Sequence, residues 1–336
     1  MDPVTHCIIG ALAGACVAER SELRLAAAVG AVAALAPDLD LFISSDDDPL
    51  LALEAHRWFT HAMIFSPVIG VVVTALAWPI ARHQVSLRTL FFASVLGALS
   101  AGALDACTSY GTSLLWPVSM NRIALQIVAI IDPLLTALTL ALLVAALTRN
   151  RRVWAAWGLC ASMAYLGFGW MQHQRADYVA RVLANDRGHR VERLEVKPTL
   201  GNTLLWRTMY LSQGLLHADA VRLGLFSGVT IYEGETIPLL NPATLPLPPD
   251  SAQREDVRRF SILSDGYVVY HPADPFVVGD ARFSMLPNSV KPLWGIKLNP
   301  ATPENHVQYE TFRETSDITL GAYLSMLLGQ RGDARR

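Results

Sequence analysis

Six apolar runs crowd the first half of the chain and decide what it can fold into. They are Val4 to Ala18, Leu23 to Pro37, Ala62 to Ala81, Leu87 to Leu104, Pro133 to Leu147 and Val153 to Met171, and Arg24 and Arg88 are the only formal charges inside them. A bilayer hydrocarbon core about 30 Å thick is crossed by roughly 20 apolar residues in a helix. Several runs meet or approach that length. The first two are shorter and rich in Ala and Gly, so they are expected to tilt, to be partly re-entrant, or to pack closely through small residues. The expected fold is a membrane α-helical bundle of about six spans.

Beyond Met171 the character changes. No lysine precedes Lys197, whereas the second half is polar, with scattered charges and prolines. The break predicts a transmembrane helical domain over residues 1–172 and a soluble, mostly β domain over 173–336. Short, partly alternating stretches punctuated by Gly, Pro, Asn and Asp predict strands in Leu204–Leu211, Gly214–Gly224, Arg258–Tyr270 and Val307–Thr315. The proline-rich Pro238–Pro249 reads as loop.

With six spans, the connections holding Arg20 and Arg24, Arg82 and Arg88, and Arg149, Arg151 and Arg152 share one side. The opposite connections hold only Arg57 and Arg122. The positive-inside rule places the arginine-rich side in the cytoplasm and the polar half outside it. The start lacks the basic region of a signal peptide, so the first run is expected to remain as a span. Charged residues make up only 17% of the chain, against roughly a quarter in soluble proteins, and the net charge is −2. Nothing here forms a basic stripe, which excludes a nucleic-acid partner; the expected partner is the lipid bilayer. Cys7, Cys16, Cys107 and Cys160 show neither CxxC spacing nor a disulfide framework and read as small packing residues.

The chemistry-bearing residues gather between the runs. His6 opens the first run, and Pro37-Asp38-Leu39-Asp40 ends the second. His56-Arg57-Trp58-Phe59-Thr60-His61 precedes the third, Asp105-Ala106-Cys107-Thr108 ends the fourth, and Asp132-Pro133 heads the fifth. Six spans bring all but Asp132 to one membrane face, and Asp132 joins them if its helix starts at the proline. A carboxylate near lipid costs several kcal/mol unless paired, metal-bound or hydrated. Imidazoles and carboxylates are the donors that zinc or manganese takes, and catalytic zinc sites use about three protein ligands. His6, Asp38, Asp40, His56, His61 and Asp105 supply enough for one or two ions.

Each piece also has an ordinary explanation. A single His6 suits a membrane interface, Pro37-Asp38-Leu39-Asp40 is an acceptable turn, and Asp46-Asp47-Asp48 reads as a solvated loop without calcium spacing. His83, His173, His189, His217, His271 and His306 have no ligand partners by spacing. Convergence on one face carries the metal reading.

The ordered set Thr5-His6, Pro37-Asp38-Leu39-Asp40, His56-Arg57-x-x-Thr60-His61 and Asp105-x-x-Thr108-Ser109-Tyr110-Gly111-Thr112, with Leu115-Trp116-Pro117 and Ile131-Asp132-Pro133, resembles the YdjM-type membrane-bound metal-dependent hydrolases. Pro198-x-x-x-Asn202-x-x-x-Trp206-Arg207 resembles that family's extension. The family is distantly similar to the helical zinc-dependent phospholipase C and nuclease fold. The resemblance implies a hydrolase of the bacterial inner membrane with zinc-like ions held by His6, Asp38, His61 and Asp105, joined by Asp40 and His56. It implies that Asp38 bridges metals or orients water, and that Arg57 faces a substrate phosphate. The family pattern has a histidine four residues before the aspartate, where this chain has Ala101, so one metal position is expected to be weak or lost. A lipid or phosphoester substrate at the outer face is the leading expectation. The alternative is a non-catalytic membrane protein using the same cluster as a structural ion site or an ion pathway.

Overall fold

The computed structural model describes residues 1–225, 228–313 and 316–330. The helices are α1 (Pro3–Cys16), α2 (Leu23–Leu35), α3 (Leu51–Ala55), α4 (Ser66–Ala81), α5 (Leu87–Cys107), α6 (Pro133–Arg149), α7 (Arg152–Asp186), α8 (Ala252–Leu263) and α9 (Asp317–Leu328). The strands are β1 (Arg193–Pro198), β2 (Leu205–Ser212), β3 (Leu215–Leu223), β4 (Val229–Tyr232), β5 (Thr236–Pro238), β6 (Val268–His271), β7 (Asp274–Asp280), β8 (Trp294–Lys297) and β9 (Gln308–Thr311). Two compact units divide them. One holds Met1–Ile43, Ala55–Met171 and Leu200–Thr203; the other holds Ser44–Glu54, Gln172–Thr199 and Leu204–Arg336.

In the first unit the helix starts are written locally. The Asp2 carboxylate accepts from Thr5 N at 3.0 Å ahead of Pro3, and Ser86 Oγ accepts from Thr89 N at 3.2 Å. Each cap satisfies an amide that the first turn leaves without a partner, typically stabilising the helix by about 1 kcal/mol. Small residues then set the packing of α1, α2 and α5. A Cβ added to Gly30 would lie 2.3 Å from the Gly10 carbonyl oxygen, so only hydrogen allows the two helices to cross this closely. Such backbone approach is the usual means of joining helices in lipid, where apolar burial gives little drive. Leu12, Leu23, Ala26, Ala93, Ala146 and Ala155 fill the surrounding core.

Helices form at all six predicted runs, yet among the described residues three rather than six are long and apolar enough to cross a membrane. These are Leu23–Phe42, Met63–Ala81 and Leu87–Cys107, of 20, 19 and 21 residues. Helices α1 and α6 have only 14 and 17 residues. At 1.5 Å per residue they reach about 21 and 26 Å, short of a core about 30 Å thick. Helix α7 has 35 residues, but Trp154, Trp157, Tyr165 and Trp170 dilute its first half and Gln172, His173 and Arg175 make it polar beyond. Counting charges on alternate loops therefore no longer orients the polar half, because that argument required six crossings.

The second unit contains two antiparallel sheets. One has the order β1-β2-β3-β4, with β5 also on β3; the other has the order β6-β7-β8-β9. The predicted strands at 204–211, 214–224 and 307–315 correspond to β2, β3 and β9 within the described residues. Arg258–Tyr270 is the exception, because its first part belongs to helix α8. Ser251 caps that helix, and Gln253, Asp256, Val257 and Phe260 bury one face at helical spacing. Helix α9 was not anticipated. Residues 44–54 join this unit because Leu50 is fully buried with Val257, Phe260, Val278 and Ile296. Asp48 is also not merely solvated: Arg259 clamps Asp48 and Glu54, with both closest contacts at 2.8 Å.

Candidate metal centre

Four element ends of the first unit supply the site. Asp38 and Asp40 lie in the 3₁₀ turn Pro37–Phe42 that ends α2, and His61 closes the 3₁₀ turn Phe59–His61 before α4. Asp105 sits in the last turn of α5, and His6 in the first turns of α1. Glycine brings two of these together. A Cβ on Gly102 would stand 2.3 Å from the His61 carbonyl oxygen, so the turn carrying His61 rests directly on the α5 backbone one turn before Asp105.

His61 is the centre. Its Nε2 lies 3.2 Å from Asp38 Oδ1 and 3.2 Å from Asp105 Oδ2. One donor atom from each of Asp38, His61 and Asp105 lies within 4.8 Å of the others. Two ligands about 2.1 Å from a tetrahedral zinc stand roughly 3.4 Å apart, so this spacing fits a single ion. Buried atoms without hydrogen bonds point the same way. Both ring nitrogens of buried His6 make none, although His6 Nε2 approaches Asp105 Oδ1 to 3.4 Å. Leaving buried polar atoms unmatched costs about 1–3 kcal/mol each; an ion would satisfy them.

Asp40 and His56 stand behind His61 rather than beside its Nε2. Asp40 Oδ2 is 3.2 Å from His61 Nδ1 and accepts from Thr60 Oγ1 at 2.7 Å and from Arg57 N at 3.0 Å. Its other oxygen meets His56 Nδ1 at 2.8 Å. A carboxylate on the far nitrogen of a metal-binding imidazole fixes the ring and raises its basicity. Burial opposes charge on His61, but hydrogen bonds with Asp105, Asp38 and Asp40 outweigh it and push its pKa up to about 10.

Arg57 Nη2 lies 2.8 Å from Asp105 Oδ1, and Nη1 donates to Thr108 Oγ1 at 3.1 Å. The guanidinium expected to face a substrate phosphate is engaged with α5. Arg57 adopts φ 62°, a left-handed conformation unusual for a long side chain, while its carbonyl accepts from Ser113 N at 3.0 Å. The Met1 ammonium also pairs with Asp105. Asp132 does not join the group: it caps α6 through Leu135 N at 3.1 Å and accepts from Tyr165 Oη at 2.8 Å. Ala101 is fully buried one turn before Asp105. In the second unit His306 Nδ1 meets the Asp256 carboxylate at 2.9 Å, an ion pair outside any metal-ligand group among the described residues. Those residues lie fifty positions apart, and no local pattern joins them.

Apolar helices carrying a buried histidine–carboxylate cluster at their ends define a membrane protein with a candidate ion site. The model of the YdjM inner membrane protein family matches residues 1–176, and the chain belongs to that family. No curated protein and no solved structure matches it.

Proposed function

We propose that this chain is a membrane-bound metal-dependent hydrolase that holds one zinc-like divalent ion through Asp38, His61 and Asp105. His6 is the fourth candidate donor, and manganese suits the same donor set. The convergence of these donors, with buried atoms left without hydrogen bonds, supports the reading. When bound, such an ion supplies Lewis-acid charge and lowers the pKa of water toward neutrality. Asp40, itself tied to His56 and Thr60, holds the His61 ring in orientation. Arg57 orients Asp105 from the opposite side. Asp38, with 18% of its side chain exposed, is the one member of the three that solvent reaches, so it would meet the substrate and position water. A phosphoester, including one carried by a lipid, fits a cationic centre next to a bilayer. The polar unit is proposed to lie outside the cytoplasm.

A second reading, a structural ion that pins the helix ends, is favoured by the engagement of Arg57 with Asp105 and Thr108. One experiment separates the two. Detergent-purified protein is assayed for bound transition metal and for hydrolysis of a phospholipid and phosphodiester panel, alongside His61→Ala and Asp38→Ala. The hydrolase reading expects metal in the wild type, with metal and turnover both lost in the variants. Absence of metal from the wild type overturns both readings; metal binding without turnover leaves the structural one.

A further inference from the structure

Helix α9 breaks the ordinary rule for a surface helix. It runs Asp317–Leu328, and none of its residues is buried. Large apolar side chains nevertheless stand exposed on it: Ile318, Leu320, Leu324 and Leu328 are 84%, 58%, 44% and 65% exposed. The last three recur every fourth residue and so form one stripe. Asp317 is the helix's only formal charge.

Polar contacts hold the helix in the second unit. Its N-terminus is capped by Ser316, whose Oγ accepts from Thr319 N at 3.2 Å. Arg222 Nε donates to the Leu327 carbonyl at 2.7 Å and Tyr232 Oη to the Met326 carbonyl at 3.2 Å, satisfying end groups of the helix. Tyr323 Oη meets Thr199 Oγ1 at 3.0 Å. The ends are therefore anchored while the leucine stripe faces away. Twelve residues form only a marginal helix in water without an apolar face to bury.

We infer that α9 is an interfacial membrane helix, lying in the plane of the bilayer with the Leu320, Leu324 and Leu328 stripe in the acyl boundary. The occupant follows from the rest of the chain, whose apolar helices tether this unit to a bilayer. A tethered surface meets lipid at high effective concentration. At 12 residues the helix extends about 18 Å, too short to span. Residues 331–336, outside the described residues, hold Arg331, Arg335 and Arg336 against Asp333, a net positive charge that anionic headgroups attract. A second copy of the chain is a poorer partner, because a stable protein interface takes roughly 20–30 residues a side.

The full chain in nanodiscs tests this. Cysteines 7, 16, 107 and 160 are replaced, a bimane fluorophore is placed at Leu324→Cys, and a control is placed at exposed Arg258→Cys on α8. Lipids brominated high on the acyl chain, about 5–10 Å below the boundary, should quench the first site and leave the second unaffected. Accessibility of both sites to aqueous iodide alone overturns the inference. So does shielding of the α9 site that appears only with two chains per disc. The unaltered chain provides an independent measurement in nanodiscs containing photoactivatable lipid. Cross-links should map to residues 317–328, and their absence there while α4 is labelled overturns the inference.

Discussion

Asp40 illustrates how much depends on single side chains here. It accepts from Thr60, Arg57 N and His56, and its contact with His61 Nδ1 leaves Nε2 facing Asp38 and Asp105. Asp40→Asn keeps the shape but weakens the hold on the ring, and is expected to lower metal affinity 10- to 100-fold in a competitive chelator titration. Lys197 offers a test at the same scale in the second unit. Its side chain is buried, with Nζ 3.1 Å from Glu195 Oε2 and 4.5 Å from the Phe283 ring centroid. Burial dominates and lowers its pKa from 10.5 to about 8. With the folded value below the unfolded one, the protein binds this proton less readily than the unfolded chain does. Stability from this group is therefore full above pH 10.5 and lost as pH falls toward 8. Lys197→Met should flatten that window in chemical denaturation curves and stabilise the protein at pH 7. The site residues were all visible as types in the sequence, but their ranks were not. Nothing in Pro37-Asp38-Leu39-Asp40 says which aspartate faces the ion side of His61 and which lies behind it; the 3₁₀ turn decides that.

At the scale of elements, the site depends on how closely the turn Phe59–His61 approaches α5. Gly102 permits that approach, and a methyl group there would meet the His61 carbonyl oxygen at 2.3 Å. Gly102→Ala should reduce bound metal although every ligand remains, and overpacking of this kind costs about 1–3 kcal/mol. Metal content by mass spectrometry and a thermal melt followed by circular dichroism check both effects; unchanged metal would contradict the proposed approach. The helices were legible because hydropathy and caps are local. Their capacity to span was less so, since α1 and α6 end at 14 and 17 residues. Helix α8 was missed because Arg258–Tyr270 contains both a helix end and the start of β6, and a short apolar alternation fits either period.

For the whole molecule, orientation in the bilayer has a direct assay. Three long apolar helices rather than six among the described residues remove the parity on which the charge argument rested. The proposal that the polar unit lies outside the cytoplasm expects an alkaline phosphatase fused after Arg336 to be active, and a green fluorescent protein there to be dark. The opposite pattern reverses the proposal.

Composition alone marked a lipid-associated helical half and a polar half with strands, because the cost of charge in hydrocarbon and the periods of helix and strand are written residue by residue. It also marked the imidazoles and carboxylates that end the apolar runs. The tertiary structure decided which of them meet. Asp38, His61 and Asp105 are far apart along the chain, and backbone contact at glycine sets their distances. It also drew residues 44–54 into the second unit through Leu50 and Arg259. Long-range packing has no local signature, so no reading of neighbouring residues could have supplied it.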